Sequence, residues 1–114
     1  MIEFRFGVEL KLTMARKVLG IHLVCRKALN VEELGGSLFK SGYWKVSEEA
    51  ANTAQYLALH NQKNISSYKQ GTIEGWERSE AHNGRIIFYV KETEEPLEWR
   101  GDGTGEKGYY WSDG

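Results

Sequence analysis

The stretch Gly42–Trp76, GYWKVSEEAANTAQYLALHNQKNISSYKQGTIEGW, decides how the rest of the chain is read. Tyr43 to Val46 has the apolar and aromatic content of a strand. Ser47 follows as a helix N-cap, with Glu48 and Glu49 in a first turn where the helix dipole favours negative charge. Alanines at 50, 51, 54 and 58, together with Leu57, make a low apolar stripe suited to close packing on a sheet. This pattern predicts one main helix over about residues 47–61, ending near His60–Gln62 before the polar stretch Lys63–Gln70. A strand with two glycines, Gly71 to Ser79, comes next.

Working outward, residues 2–12 alternate: Ile2, Phe4, Phe6, Val8, Leu10 and Leu12 share one face. A period of two is the mark of a half-buried strand. Val18 to Arg26 is a second β-like run, so residues 2–26 read as an opening hairpin, with a helix starting in Met14–Leu19 as the alternative. Asn30 to Leu34 reads as a short helical turn stopped by Gly35-Gly36. Arg85 to Glu92 is joined to the preceding strand through Asn83-Gly84, a strong turn signal because both residues tolerate positive φ. Ile86, Phe88 and Val90 face one way and Ile87 and Tyr89 the other, which predicts a central strand. Pro96 ends the strand region, and the glycine-aromatic tail 101–114 reads as loop or a late edge strand. The fold class expected is α+β in a single domain, 1–114, with a small mixed or antiparallel barrel-like sheet and one main helix.

Length, 40% hydrophobic and 12% aromatic residues support one ordinary core. Net charge is −1, unevenly spread: residues 1–72 carry +4 and residues 73–114 carry −5. A basic face can therefore meet a phosphate backbone despite the overall balance. The lone Cys25 lies in the apolar run Ile21–Cys25 and reads as a buried, inert thiol. No secretory leader pattern and no apolar run of about 18 residues is present, so a cytoplasmic, non-membrane protein is expected.

Several motifs carry no chemistry. Gly103–Gly108 spells G-x-G-x-x-G, but Tyr109-Tyr110-Trp111 follow where a dinucleotide site needs a helix. Arg100-Gly101-Asp102 and Asn64-Ile65-Ser66 match adhesive and glycosylation patterns only by chance. His22, His60 and His82 lack metal-ligand spacing, so neither a metal nor a cofactor is expected. No nucleophile–base pair or separated carboxylate pair stands out, and no catalytic residue is assigned.

The aromatics are the serious candidates. Trp44, Trp76, Trp99 and Trp111, with Tyr43, Tyr68, Tyr109 and Tyr110, are together candidates for a stacking cage, since stacking on a base is sequence-tolerant and favourable. Lys63, Ser66, Ser67 and Lys69, in the loop between, are expected to donate to phosphate. The order of these features resembles the PUA-like superfamily, in particular EVE- and ASCH-type domains. The resembling residues are Tyr43–Val46, the capped segment from Ser47 to His60, the Ser67-Tyr68 loop, Gly71–Trp76 and Arg85–Val90. The resemblance covers roughly residues 40–95 and is one of layout, because the ASCH glycine–lysine–arginine motif is not evident. It implies a small barrel-like fold, nucleic-acid binding and, for the EVE type, a modified base held among aromatics; carried onto this sequence, it places Trp44, Ser47, Tyr68 and Trp76 around the ligand, with Trp99 closing one side.

Nucleic-acid or nucleotide binding is thus the leading expectation. The alternative is a protein-interaction or inhibitory module of a phage or mobile element, acting through the acidic, aromatic C-terminal third. Edge-strand homodimerisation is a third reading. An enzyme using His60, Lys63 and Tyr68 comes last.

Overall fold

A computed structural model describes residues 16–101 and 105–112. The strand expected over residues 2–12 lies outside the described residues. The described residues form a seven-stranded mixed sheet. In chain order its elements are β1 (Val18–Val24), β2 (Val31–Gly35), β3 (Leu38–Trp44), α1 (Glu48–Thr53), β4 (Tyr56–His60), β5 (Lys69–Ser79), β6 (Arg85–Thr93) and β7 (Lys107–Trp111). The spatial order is β2-β3-β6-β5-β4-β1-β7. Every neighbouring pair is antiparallel except β1 with β4, which run parallel.

The Ser47 cap forms as its sequence implies: its Oγ accepts the Ala50 N–H at 3.1 Å. The helix itself is far shorter than the expected 47–61. It stops at Thr53, Ala54 turns extended, and the Gln55 N–H donates to the Leu19 carbonyl at 2.7 Å. Residues 56–60 then lie between β1 and β5 as β4. Their alternation explains the outcome. Leu57 and Leu59 enter the core while Tyr56, Ala58 and His60 face the other side, a period-two pattern that no helix satisfies. Two sheet neighbours outweighed the helix propensity of the alanines.

A second correction concerns Asn30–Leu34, which is not helical. The helical turn falls earlier, at Arg26–Ala28, and Val31–Gly35 pairs with β3. β1 has β4 on one flank and β7 on the other, so both of its hydrogen-bonding edges are occupied. β6 is interior, with Ile86, Phe88 and Val90 buried on one face and Ile87 on the other. The C-terminal aromatics form edge strand β7. The opposite edge, β2, displays Glu32 and Glu33, charges that discourage strand addition.

One core sits on a single face of the sheet. It joins Ile21 and Leu23 from β1, Phe39 from β3, Leu57 and Leu59 from β4, and Ile86, Phe88 and Val90 from β6. Val46 and the small residues Ala50, Ala51 and Ala54 bring α1 down onto it. Segment 45–47 also reaches β7, where the Lys107 Nζ donates to the Lys45 carbonyl at 2.9 Å. Cys25 is buried, as its apolar run predicts. Among the described residues no helix is long and apolar enough to cross a membrane.

Candidate nucleic-acid interface

The residues expected to form one pocket fall into three groups. Trp44 and Trp76 both pack against the core, Ser47 caps α1, and Trp76 is bonded to Asn52 of that helix. Sheet register sets Trp44 beside Ile86 and Trp76 beside Phe88, so both indoles share the core face across β6. Their N–H groups are anchored, Trp44 Nε1 donating to Ser41 Oγ at 2.9 Å and Trp76 Nε1 to Asn52 Oδ1 at 3.1 Å.

Tyr68, Ser67 and Lys69 form the second group, and each is occupied structurally. The Tyr68 hydroxyl donates to the Cys25 carbonyl, and burial is the main reason its pKa is held high. Ser67 is buried; its Oγ donates to Gln70 Oε1 at 2.6 Å and accepts the Leu97 N–H at 2.9 Å. Lys69 packs over the Phe39 ring and bridges Glu33 and Glu92, so its charge is already answered.

Trp99 belongs to the third group, on the opposite face of the sheet. Ser66, Asn64, Ile65 and Glu98 line an open cleft of about 360 Å³ with it, and Lys63 stands 5.9 Å above its ring. Beneath Trp99 lies a cluster that sequence reasoning missed. His22 Nδ1 is 3.0 Å from His60 Nε2, His22 Nε2 is 2.9 Å from the Tyr56 hydroxyl, and His60 Nδ1 is 2.7 Å from the Ile65 carbonyl. A carbonyl only accepts, so His60 carries its proton on Nδ1. With both rings neutral, His22 must then donate from Nδ1 to His60, and Tyr56 must donate to His22. The result is a one-way chain from Tyr56 to the Ile65 carbonyl.

Both rings are fully buried. Burial, then the positive charge that His60 and Arg100 would present, pushes the His22 pKa down to about 4. Burial also lowers His60, against the opposing hydrogen bond to Ile65. Tyr56 is raised, chiefly by burial. Trp99 meets both imidazoles edge-on, with centroids at 5.9 and 5.0 Å. Its segment crosses β7 at Gly108, where a Cβ would lie 2.2 Å from the Arg100 carbonyl oxygen. Among the described residues the hydrogen-bond partners of the pair are Tyr56 and a backbone carbonyl, so the cluster lacks the carboxylate of a hydrolytic triad. Among the described residues no group of three or more His, Cys, Asp or Glu could hold a metal. The missed signal was alternation: Gly20, His22 and Val24 face away from Ile21 and Leu23, as Tyr56 and His60 face away from Leu57 and Leu59.

The groups available for a ligand lie instead at the far end of β3. Trp44, Lys45, Val46, Arg78, Asn83, Gly84 and Arg85 line a cleft of about 330 Å³. Arg78, Ile86 and Trp44 occupy one row across β5, β6 and β3. Arg78 is partly engaged, donating to the Gly84 carbonyl at 2.8 Å and to Glu48 at 3.4 Å. Lys45 and Arg85 are exposed. The turn at Asn83-Gly84 and the hairpin register bring Arg78 and Arg85 close together, but Trp44 joins them only through the β3–β6 pairing. No family model, curated protein or solved structure matches the chain.

Proposed function

We propose that the chain is a nucleic-acid or nucleotide-binding module of PUA-like type, with the Trp44 cleft as its primary contact. One base stacks on the exposed part of the Trp44 indole, and Lys45 and Arg85 meet the adjoining phosphate. The observation that carries this reading is the meeting of an anchored indole with three cations in one cleft, of which Arg78 is paired with Glu48. Stacking contributes about 1–3 kcal/mol per base, and cations hold the backbone without reading sequence. An aromatic cage for a modified base would be built here from Trp44, with Trp76 behind it at α1. Trp99 and the Lys63–Lys69 loop lie outside this cleft.

Replacing Trp44 by alanine should weaken binding of a short single-stranded oligonucleotide about tenfold, the loss of roughly one stacked base. Arg85→Gln should weaken it less and flatten its salt dependence by about 0.7, one phosphate contact on a single strand. Anisotropy titrations at two salt concentrations measure both, with thermal melting as a check on folding. Unchanged affinity in both folded variants would remove this cleft from the binding surface.

A protein-interaction role is the second reading, favoured by exposed Tyr110 and Trp111 on edge strand β7. Deletion of residues 101–114 is a poor test, because it strips β1 of a sheet partner. Tyr110→Ser with Trp111→Ser preserves the strand, and retention of a protein partner by that double variant would count against the reading.

A further inference from the structure

We propose that the β7 edge continues the nucleic-acid path, with Arg16, Arg100, Tyr110 and Trp111 holding a nucleotide several positions along the strand from the one in the Trp44 cleft, beyond the reach of a dinucleotide. The inference rests on the nucleic-acid reading above and specifies the form of its ligand: a single strand several nucleotides long.

The Arg16 guanidinium stands 5.1 Å from the Trp111 ring centre and that of Arg100 stands 4.5 Å from Tyr110. Neither makes an ion pair with a carboxylate among the described residues. A guanidinium lying on a ring satisfies its flat face and leaves its N–H fork for a phosphate. With Gly101 and Tyr109, these four side chains line an open cleft of about 390 Å³.

Arg100 is held in place from below. Its neighbour Trp99 packs on His22 and His60, and the missing side chain of Gly108 lets the 99–101 segment lie against β7. Such preorganisation lowers the ordering cost of binding.

Continuity with the Trp44 cleft is physical. Segment 45–47 borders that cleft through Lys45 and Val46, and it touches β7 twice. Lys107 donates to the Lys45 carbonyl, and the Tyr109 hydroxyl meets the Ser47 backbone. A smaller cavity of about 90 Å³ adjoins the β7 surface, lined by Ser47 and Thr53 on one side and by Arg16, Tyr109 and Trp111 on the other, and Ser47 follows Val46 of the Trp44 cleft in the chain. Glu49 is the one acid on its wall. Unpaired bases are required, because a duplex hides the faces that rings stack on.

The test compares labelled oligothymidylates of two and eight nucleotides by anisotropy at two salt concentrations. The probes meet the native chain, Arg16→Gln/Arg100→Gln, and Trp44→Ala. The native chain should hold the longer probe at least tenfold more tightly. The double arginine variant should lose most of that advantage, flatten the salt slope by about 1.4 for two phosphate contacts, and bind the dinucleotide as before. Trp44→Ala should weaken both lengths. If the double variant keeps the full length advantage while Trp44→Ala still weakens binding, the β7 path is wrong and the Trp44 cleft stands. If neither probe binds the native chain, both readings fall. Loss of a protein partner in the double variant, without oligonucleotide binding, would assign the β7 surface to protein instead.

Discussion

Between about pH 7 and pH 5 the fold is expected to lose about 2 kcal/mol of stability through His22, rising to about 3 kcal/mol near pH 4. The native ring binds its proton only near pH 4, whereas an unfolded histidine does so near 6.5. The unfolded chain therefore takes up more protons as the pH falls through this window. Stability is full above about pH 6.5 and declines below it. His60 adds in the same direction, since burial lowers it too. The structural reason is that the chain from Tyr56 to the Ile65 carbonyl works only with neutral rings. A second proton on His22 Nε2 would confront the Tyr56 O–H, and the new charge would face Arg100. Urea unfolding at pH 7 and pH 5 measures the effect, and staying above pH 5 keeps most carboxylates out of it. His22→Phe should lower stability at pH 7 and show a shallower pH slope. A native protein equally stable at both values would refute the neutral chain.

The second large effect is confined to one strand. Gly71→Ala should destabilise the protein by about 3 kcal/mol, the upper range for forcing atoms into a packed site. A Cβ there would stand 2.0 Å from the Lys91 carbonyl oxygen and 2.9 Å from the Glu92 Cα. Both are backbone atoms of β6, so no side chain can swing aside. Gly75 on the same strand is the control, because nothing lies within 4 Å of its position and its φ is ordinary. Gly75→Ala should be neutral or stabilise by up to about 1 kcal/mol, by restricting the unfolded chain. Chemical denaturation of the two variants side by side distinguishes a specific clash from a general intolerance of β5. Equal midpoints would show that β6 moves aside freely at Gly71.

The strands were legible wherever local pattern and tertiary demand agreed. β5, β6 and their Asn83-Gly84 turn follow from alternation and turn chemistry, and the Ser47 cap from residue type alone. The helix failed at Ala54 because alanines at helical spacing are also small residues that fit between sheet layers. Only the β1–β4 pairing, which sets Val24 beside His60 across a long stretch of chain, decides between the two. The same distance hid the histidine pair, since neither ring carries a local sign of the other. For the site, Trp44 and Trp76 lie on one face of the sheet, in the rows of Ile86 and Phe88 on β6. Trp99 could not be separated from them without knowing that its segment passes behind the sheet. Lys69 read as an available cation because its partners, Glu33 and Glu92, come from strands on either side of β3.

The position of β1 also sets the order in which the protein can assemble. Its register joins Gly20 to Tyr56 on one side and Val18 to Trp111 on the other. During synthesis β2, β3, α1 and β4 all leave the ribosome before the β5–β6 hairpin, yet β1 waits unpaired on its β7 side through every one of them. Its last partner emerges more than ninety residues later in the described register. Closing so long a loop is slow, on the order of milliseconds to seconds for β-rich domains of high contact order. A nascent chain therefore carries the apolar run of β1 with its β7 edge unpaired until residues 107–111 are made.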